Sequence, residues 1–167
     1  MLVKLALIAF ISMLPVFELR AAIPLGIMSR DVGLGYGWVL PGYGLPWQLV
    51  FVVAVAANFA VGILVYEALH LFLGRFLCFK PLAFLYAEAA ARAERKSHAF
   101  IEKFGWLGLA LFIAVPFPGT GVWTGALAAY LVNLSWQRFA LASALGVLLA
   151  GVLVTLASLG LFAGGLG

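Results

Sequence analysis

The sequence is poor in charged residues. Of its 167 residues, 10% are charged and 66% are hydrophobic, whereas an average soluble domain has about 25% charged and about 45–50% apolar residues. So little polar surface cannot cover a globular domain in water, which argues against a soluble enzyme and against a nucleic-acid-binding protein. High hydrophobicity also excludes a disordered chain. The composition therefore predicts a small integral membrane protein of one domain.

Cysteine and histidine are scarce as well. The single cysteine, Cys78, excludes an internal disulfide framework. The two histidines, His70 and His98, have no partner at the spacing of metal ligands, so we expect no metal and no other cofactor. The sequence contains no Ser-His-Asp, Cys-His or phosphate-loop arrangement, and we therefore do not expect an enzyme.

The basic residues are concentrated in one stretch. Six of the ten Lys and Arg residues lie within Arg75–Lys103, and the positive-inside rule places this stretch in the cytoplasm, next to a prokaryotic inner or plasma membrane. Residues 82–104 combine apolar ends with an Ala-rich, charged middle. They predict an amphipathic helix on the inner leaflet, with its basic side toward anionic headgroups. A solvated connector helix is the alternative.

Two apolar segments are long and uninterrupted. Gln48–Gly74 contains one charged residue, Glu67, and Phe139–Gly160 contains none. Both exceed the roughly 20 residues that cross a bilayer as a helix. We predict a transmembrane helix in each.

Two further apolar segments are interrupted by proline, which removes a backbone hydrogen bond and clashes with the preceding turn. The interruptions are Pro15 and Pro24 in Leu2–Met28, and Pro116 and Pro118 in Gly105–Val132. We expect the helices to end at these prolines. The arms that remain are too short for a hydrocarbon core of about 30 Å. This favours re-entrant hairpins, which enter and leave the membrane on the same side.

The order of hairpin and span occurs twice, in residues 1–74 and 105–167, with a connector over 75–104. If each copy crosses the membrane once, the second copy is inverted relative to the first, which is typical of transporters. The predicted fold is an all-α membrane domain over 1–167, made of two inverted repeats. With two full spans per chain, we expect a homodimer or higher oligomer. Four complete spans, or a signal peptide with its core at Leu5–Phe17, remain alternatives.

The charged residues at the first interruption are the strongest functional candidates. Glu18 and Arg20 would lie at mid-membrane, where a charge costs at least about 2.5–3.5 kcal/mol. A low dielectric favours the protonated carboxyl, so we expect Glu18 to exchange a proton near neutral pH. Arg20 stays charged and suits a phosphate or carboxylate. We predict an anion site gated by protonation, with a salt bridge that pins the hairpin tip as the alternative.

The second interruption carries no charge. Its candidate residues are Pro116, Pro118, Gly119, Thr120, Gly121 and Thr124. Backbone N–H groups, the threonine hydroxyls and the positive end of a half-helix starting near Val122 would attract an anion. The alternative is a packing turn, in which Gly121 and Gly125 let two helices approach closely.

Three polar residues of the spans and their ends are secondary candidates. Asn58 lies near the middle of the first span, and Arg138 lies at the start of the second. Glu67 shares a helix face with His70 because the two are three residues apart. We expect Glu67 to face the interior, and an ion pair with Arg75 or Arg138 is its structural alternative.

Several short stretches resemble known membrane proteins. Glu102–Gly105, Pro116–Gly121 and Ser135–Phe139 are similar to the second half of DedA-family proteins, which carry the SNARE-associated or VTT domain. Pro15–Pro24, together with the short chain, resembles the small multi-drug export protein family, a compact relative of DedA. The resemblance covers most of the chain. It implies opposed re-entrant hairpins and proton-coupled flipping or scrambling of phosphate-headed lipids such as undecaprenyl phosphate.

The resemblance also assigns individual residues. Glu18 matches the acidic residue of the first DedA hairpin, whereas Val115 and Gly121 occupy the positions of the paired arginines of the second tip. Arg20 and Arg138 are the candidates to replace that positive charge. We therefore expect a DedA-like transporter of an anionic lipid headgroup, with its site between the hairpin tips, membrane lipids as partners and no role for nucleic acid. A small multidrug/proton antiporter and a non-transporting scaffold are the alternatives.

Overall fold

The computed structural model describes residues 1–29, 32–35, 38–40, 42–76, 104–115 and 120–164. The predicted all-helical character is confirmed in this part of the chain, which adds only a short two-stranded ribbon. The elements are α1 (Leu2–Met13), α2 (Glu18–Ile27), β1 (Val32–Gly35), β2 (Trp38–Leu40), α3 (Trp47–Phe76), α4 (Trp106–Ala114), α5 (Val122–Leu131) and α6 (Trp136–Gly164). Most of the predicted connector, residues 77–103, lies outside the described residues.

The two long helices, α3 and α6, fall where the two transmembrane helices were predicted and are long and apolar enough to cross a membrane. Their most apolar parts, Trp47–Leu71 and Trp136–Gly160, each have 25 residues and mean hydropathies of 2.5 and 2.4. At 1.5 Å per residue, each stretch is about 37 Å long and exceeds a hydrocarbon core of about 30 Å. Both helices begin at a tryptophan, a residue that favours the membrane interface.

Helix α6 has the face pattern of a membrane helix. Its buried residues are mostly small, namely Ala142, Ser143, Gly146, Ala150, Gly151, Thr155 and Ser158, with Phe139 and Val147 as the large ones. Its opposite face presents large apolar side chains, namely Leu141, Leu145, Leu148, Leu149, Val152, Leu153 and Leu156. A soluble helix buries its large apolar residues, whereas membrane helices pack through small residues and leave large ones to the lipid. The pattern therefore supports a membrane environment.

The chain divides into two compact units, Met1–Asn58 with Leu148–Gly167, and Phe59–Val147. Each unit contains one pair of short helices together with part of α3 and part of α6. The unit boundaries fall inside the long helices, whereas the sequence repeats at 1–74 and 105–167 each end with a whole span.

In the first unit, α1 and α2 form a helical hairpin. The Lys4 amine, at the start of α1, donates a 2.9 Å hydrogen bond to the Tyr43 carbonyl. The Tyr43 amide in turn donates to the Leu25 carbonyl near the end of α2. The start of α1 and the end of α2 therefore lie at the same end of the hairpin. The helices are about 18 and 15 Å long.

Only one of the two prolines in this hairpin ends a helix. Pro15 lies in the turn after α1, as predicted, but Pro24 lies inside α2. The expectation that Pro24 ends a helix is wrong. Because its fixed φ suits a helix, proline removes only its own N–H bond to the carbonyl four residues earlier and disturbs the preceding turn, and α2 ends three residues later in any case.

In the second unit, α4 and α5 pack closely through Gly125. A Cβ at Gly125 would lie 2.6 Å from Cγ1 of Ile113. Gly146 of α6 meets the same helix, because a Cβ there would lie 2.7 Å from the Ala110 carbonyl oxygen. The predicted role of Gly125 in close helix approach is confirmed. Glycine at both positions brings the helices within contact distance, as is typical of membrane proteins.

Candidate functional site

Glu18 begins helix α2 at the tip of the first hairpin. Its side chain is only 5% exposed, although the preceding turn is open and Val16 is 83% exposed. Its φ is 48°, in the left-handed region. Side chains other than glycine rarely adopt this conformation, which costs on the order of 1–3 kcal/mol and is often found at functional sites. The hairpin tip therefore combines a buried acidic residue with a strained backbone.

Arg20 lies on the same first turn of α2 and is half-buried. The Glu18 carboxylate and the Arg20 guanidinium interact electrostatically. A carboxylate at a helix N-terminus also interacts favourably with the helix dipole. The structure thus brings the two predicted charged residues together on one helix end. Leu19 and Ile23 of the same helix are buried and give this charged pair an apolar surrounding.

The second tip is described only in part, since Pro116, Pro118 and Gly119 lie outside the described residues. Thr120 donates a 2.7 Å hydrogen bond from its hydroxyl to the Val115 carbonyl, which follows the last residue of α4.

At the start of α5, the Thr124 hydroxyl donates to the Gly121 carbonyl at 3.2 Å. Gly121 precedes α5 with a φ of 138°, so the predicted start of this helix at Val122 is confirmed. Both threonine hydroxyl protons are used within the hairpin, so an anion at this tip would meet mainly backbone N–H groups.

Asn58 lies in α3 within the core of the first unit. Its side chain is 1% exposed, and its Oδ1 accepts no hydrogen bond from any described residue. Burial of an amide oxygen without a donor costs about 1–3 kcal/mol. Asn58 therefore remains a candidate for contact with a polar ligand or water.

Glu67 lines a cavity near the end of α3. The cavity lies beside Tyr66, Glu67 and His70 of α3 and residues 133–136. Glu67 and Arg138 form no salt bridge, so the ion-pair alternative with Arg138 is wrong; the side chain of Arg75 lies outside the described residues. Trp136, the first residue of α6, lines the cavity, whereas Arg138, two residues further along the helix, does not.

Sequence reasoning missed the other residues of this cavity. The spacing of Glu67 and His70 was the only available signal, because the lining residues other than Tyr66 lie more than 60 positions further along the chain. Within the described ranges, no three His, Cys, Asp or Glu side chains come together in a way that would hold a metal ion.

Comparison with known proteins assigns the chain to a family. The model of the family described as "Putative small multi-drug export protein" matches residues 18–153, from Glu18 through the second hairpin and most of α6. No curated protein and no solved structure matches the chain. The match agrees with the apolar spans and indicates a membrane protein with a transport role. Because it covers most of the sequence, the chain belongs to the small multi-drug export protein family.

Proposed function

We propose that the protein is a proton-coupled exporter of small amphipathic compounds, in which Glu18 binds and releases the coupling proton. The observation that carries the proposal is a carboxyl group that is only 5% exposed at the tip of a short membrane hairpin. Ionisable residues within membrane segments are costly and line substrate or proton pathways. Protonation removes the charge of Glu18, so one residue can alternate between a charged and a neutral form.

The short hairpins support a re-entrant arrangement. In the first unit, the bond from Lys4 to Tyr43 keeps the open end of the hairpin near the start of α3. In the second unit, the Tyr66 hydroxyl donates to the Leu134 carbonyl, which keeps the end of α5 near the last turns of α3. Because the order of hairpin and span occurs twice in the sequence, we propose that the hairpins enter from opposite faces, as in inverted-repeat transporters.

The basic stretch orients the protein in this proposal. Arg75–Lys103 follows the end of α3, and positive residues favour the cytoplasmic side. The end of α3 would then face the cytoplasm, and the Lys4 end would face outward. The proposal also includes a homodimer, because two full spans enclose little of a transport pathway.

Arg20 favours a second candidate function, the translocation of an anionic lipid headgroup. A guanidinium binds phosphate with a planar set of donors and keeps its charge in the membrane. In this case, Arg20 would hold the headgroup and Glu18 would release it on a change of protonation. A non-transporting scaffold remains the alternative in which neither residue has a transport role.

Reconstitution in liposomes tests these functions. A pH gradient should drive export of a fluorescent cationic dye by the wild-type protein, and Glu18→Gln should abolish it. Glu18→Asp, which keeps an ionisable group, should retain part of the activity. An unchanged elution volume and melting temperature would show that the Glu18→Gln protein is folded. Dye export that persists in Glu18→Gln would refute the assignment of Glu18.

The same vesicles distinguish the second candidate. Transbilayer movement of a fluorescent phosphate-headed lipid, lost in Arg20→Ala and absent for a neutral analogue, would favour headgroup translocation. If vesicles with correctly inserted protein move neither dye nor lipid, the scaffold alternative is correct.

A further inference from the structure

The cavity at the end of α3 has a volume of about 450 Å³. We name it the Glu67 cavity; it is lined by Tyr66, Glu67 and His70 from α3, by residues 133–135 between α5 and α6, and by Trp136 of α6. All of these residues belong to the unit Phe59–Val147. Small-molecule sites typically measure about 300–1,000 Å³ and combine apolar walls with a few polar groups. The cavity has the size and the mixed lining of such a site.

Tyr66 fixes the wall of the cavity. Its hydroxyl donates to the Leu134 carbonyl, which ties α3 to the segment between α5 and α6. Its ring stacks on Phe139 of α6, with ring centroids 4.4 Å apart and an angle of 11° between the planes. Tyr66 therefore connects α3 with the segment between α5 and α6 and with α6 itself. A wall held in this way is organised before a ligand arrives, which reduces the entropy lost on binding.

His70 is held in one orientation and one tautomer. Its ring lies against Tyr66, at 4.3 Å between centroids, and meets Tyr130 edge-on at 4.8 Å. Its Nδ1 lies 3.0 Å from the Tyr66 carbonyl oxygen. Because a carbonyl oxygen can only accept a hydrogen bond, Nδ1 donates to it and carries the hydrogen.

Glu67 supplies the only negative charge among the described residues that line the cavity. Besides Glu67, the described charged and titratable residues on the helices around the cavity are Tyr66 and His70 on α3, Tyr130 on α5 and Arg138 on α6. Arg138 does not line the cavity and forms no salt bridge with Glu67. The formal charge of the described lining residues is therefore negative.

Trp136 adds an aromatic surface beside this charge. Its side chain is 49% exposed and lines the cavity at the first residue of α6. An indole ring is the most favourable aromatic partner for a cation. A carboxylate together with an accessible indole fits an organic cation, whereas an anion would be repelled by Glu67.

We propose that the Glu67 cavity is the loading site for a monovalent organic cation, with Glu67 as its counter-charge and Trp136 as its aromatic contact. The assignment as a loading site rests on the export function and orientation proposed above, in which the end of α3 faces the cytoplasm. An exporter takes its substrate from that side. Binding of the cation itself does not depend on the role of Glu18.

Equilibrium dialysis of the purified full-length protein with tritiated tetraphenylphosphonium tests the proposal. Glu67→Gln should weaken binding roughly tenfold, and Trp136→Leu should weaken it severalfold. Glu67→Asp, which keeps the charge, should retain most of the affinity and guards against a folding defect in Glu67→Gln. Gln137→Ala is the matched control, because this exposed residue follows Trp136 and does not line the cavity, and its affinity should stay within about twofold of wild type.

The outcomes separate this site from the proposed role of Glu18. Wild-type binding by Glu67→Gln overturns the cation site, and so does binding that is lost in Glu18→Gln but kept in Glu67→Gln. Weaker binding in Glu67→Gln with unchanged dye export overturns the assignment as a loading site. Normal binding with lost export in Glu18→Gln supports both proposals, whereas normal export in Glu18→Gln overturns the role of Glu18 alone.

Discussion

The Ser12 hydroxyl donates a 2.7 Å hydrogen bond to the main-chain carbonyl of Ala54. Both residues are fully buried, and the bond joins α1 of the first hairpin to α3. Polar contacts between membrane helices contribute about 0.6–2 kcal/mol. The first hairpin is thus fixed to the span by a specific polar contact as well as by apolar packing.

Replacement of Ser12 by alanine should therefore lower the free energy of unfolding by about 1 kcal/mol. The loss should appear as a lower midpoint of unfolding in detergent mixtures. Ser29→Ala, at an exposed position, is the control and should leave the midpoint unchanged. A Ser12→Ala protein as stable as wild type would show that the bond contributes nothing to stability.

Replacement of Gly62 by alanine should destabilise the second unit. A Cβ at Gly62 would lie 2.2 Å from Cγ2 of Val122, a distance that forces one of the helices to move. Overpacking of this kind typically costs about 1–3 kcal/mol. The double variant Gly62→Ala/Val122→Ala should recover much of the loss in the midpoint of thermal unfolding. Gly160→Ala, which meets no atom within 4 Å, should be neutral or slightly stabilising.

Membrane topology can be read from the position of Lys4 relative to the loop after α2. In a chain whose single cysteine, Cys78, is replaced by alanine, Lys4→Cys and Ser29→Cys should react with an impermeant maleimide from the same side. In the wild-type chain, Lys4 donates a hydrogen bond to Tyr43, a residue of that loop, so the two positions lie on the same side of the membrane. Labelling of the two positions from opposite sides would favour four complete spans.

The helices were predictable because they depend on local properties of the chain. Length and hydropathy predicted α3 and α6, and Pro15 predicted the end of α1. Pro24 was misjudged, since a proline near the end of a helix can be accommodated when the neighbouring packing holds the backbone. The connector prediction lies outside the described residues and stays a prediction.

The candidate sites were predictable only where one residue stood out. Glu18 did so because an acidic residue in an apolar segment is rare and costly. Its left-handed φ and its burial depend on the folded hairpin and leave no signal in the sequence. The Glu67 cavity depends on the hydrogen bond between Tyr66 and Leu134, which are 68 residues apart. No local sequence pattern predicts such a contact.

That contact gives a prediction of its own. Tyr66→Phe removes the hydroxyl that donates to the Leu134 carbonyl but keeps the ring that stacks on Phe139. We expect a loss of about 1 kcal/mol in unfolding free energy and weaker binding of tetraphenylphosphonium, because the cavity wall is less well fixed. Tyr66→Leu, which also removes the stacked ring, should be less stable than Tyr66→Phe in thermal unfolding. Equal stability of wild type and Tyr66→Phe would contradict a structural role for the hydroxyl.

The exposed leucines of α6 provide a test of the membrane environment itself. Leu148 lies near the middle of α6, on the face that carries large exposed side chains. In water, lysine at an exposed helix position would be nearly neutral for stability, but at the centre of a membrane helix it disfavours insertion by about 2.5–3.5 kcal/mol. Leu148→Lys should therefore reduce the fraction of protein recovered in the membrane and the efficiency with which an isolated α6 segment inserts. Leu148→Ala, which shortens the side chain without adding a charge, should insert nearly as well as wild type. Equal insertion of Leu148→Lys and Leu148→Ala would mean that this face of α6 meets water or protein and not lipid.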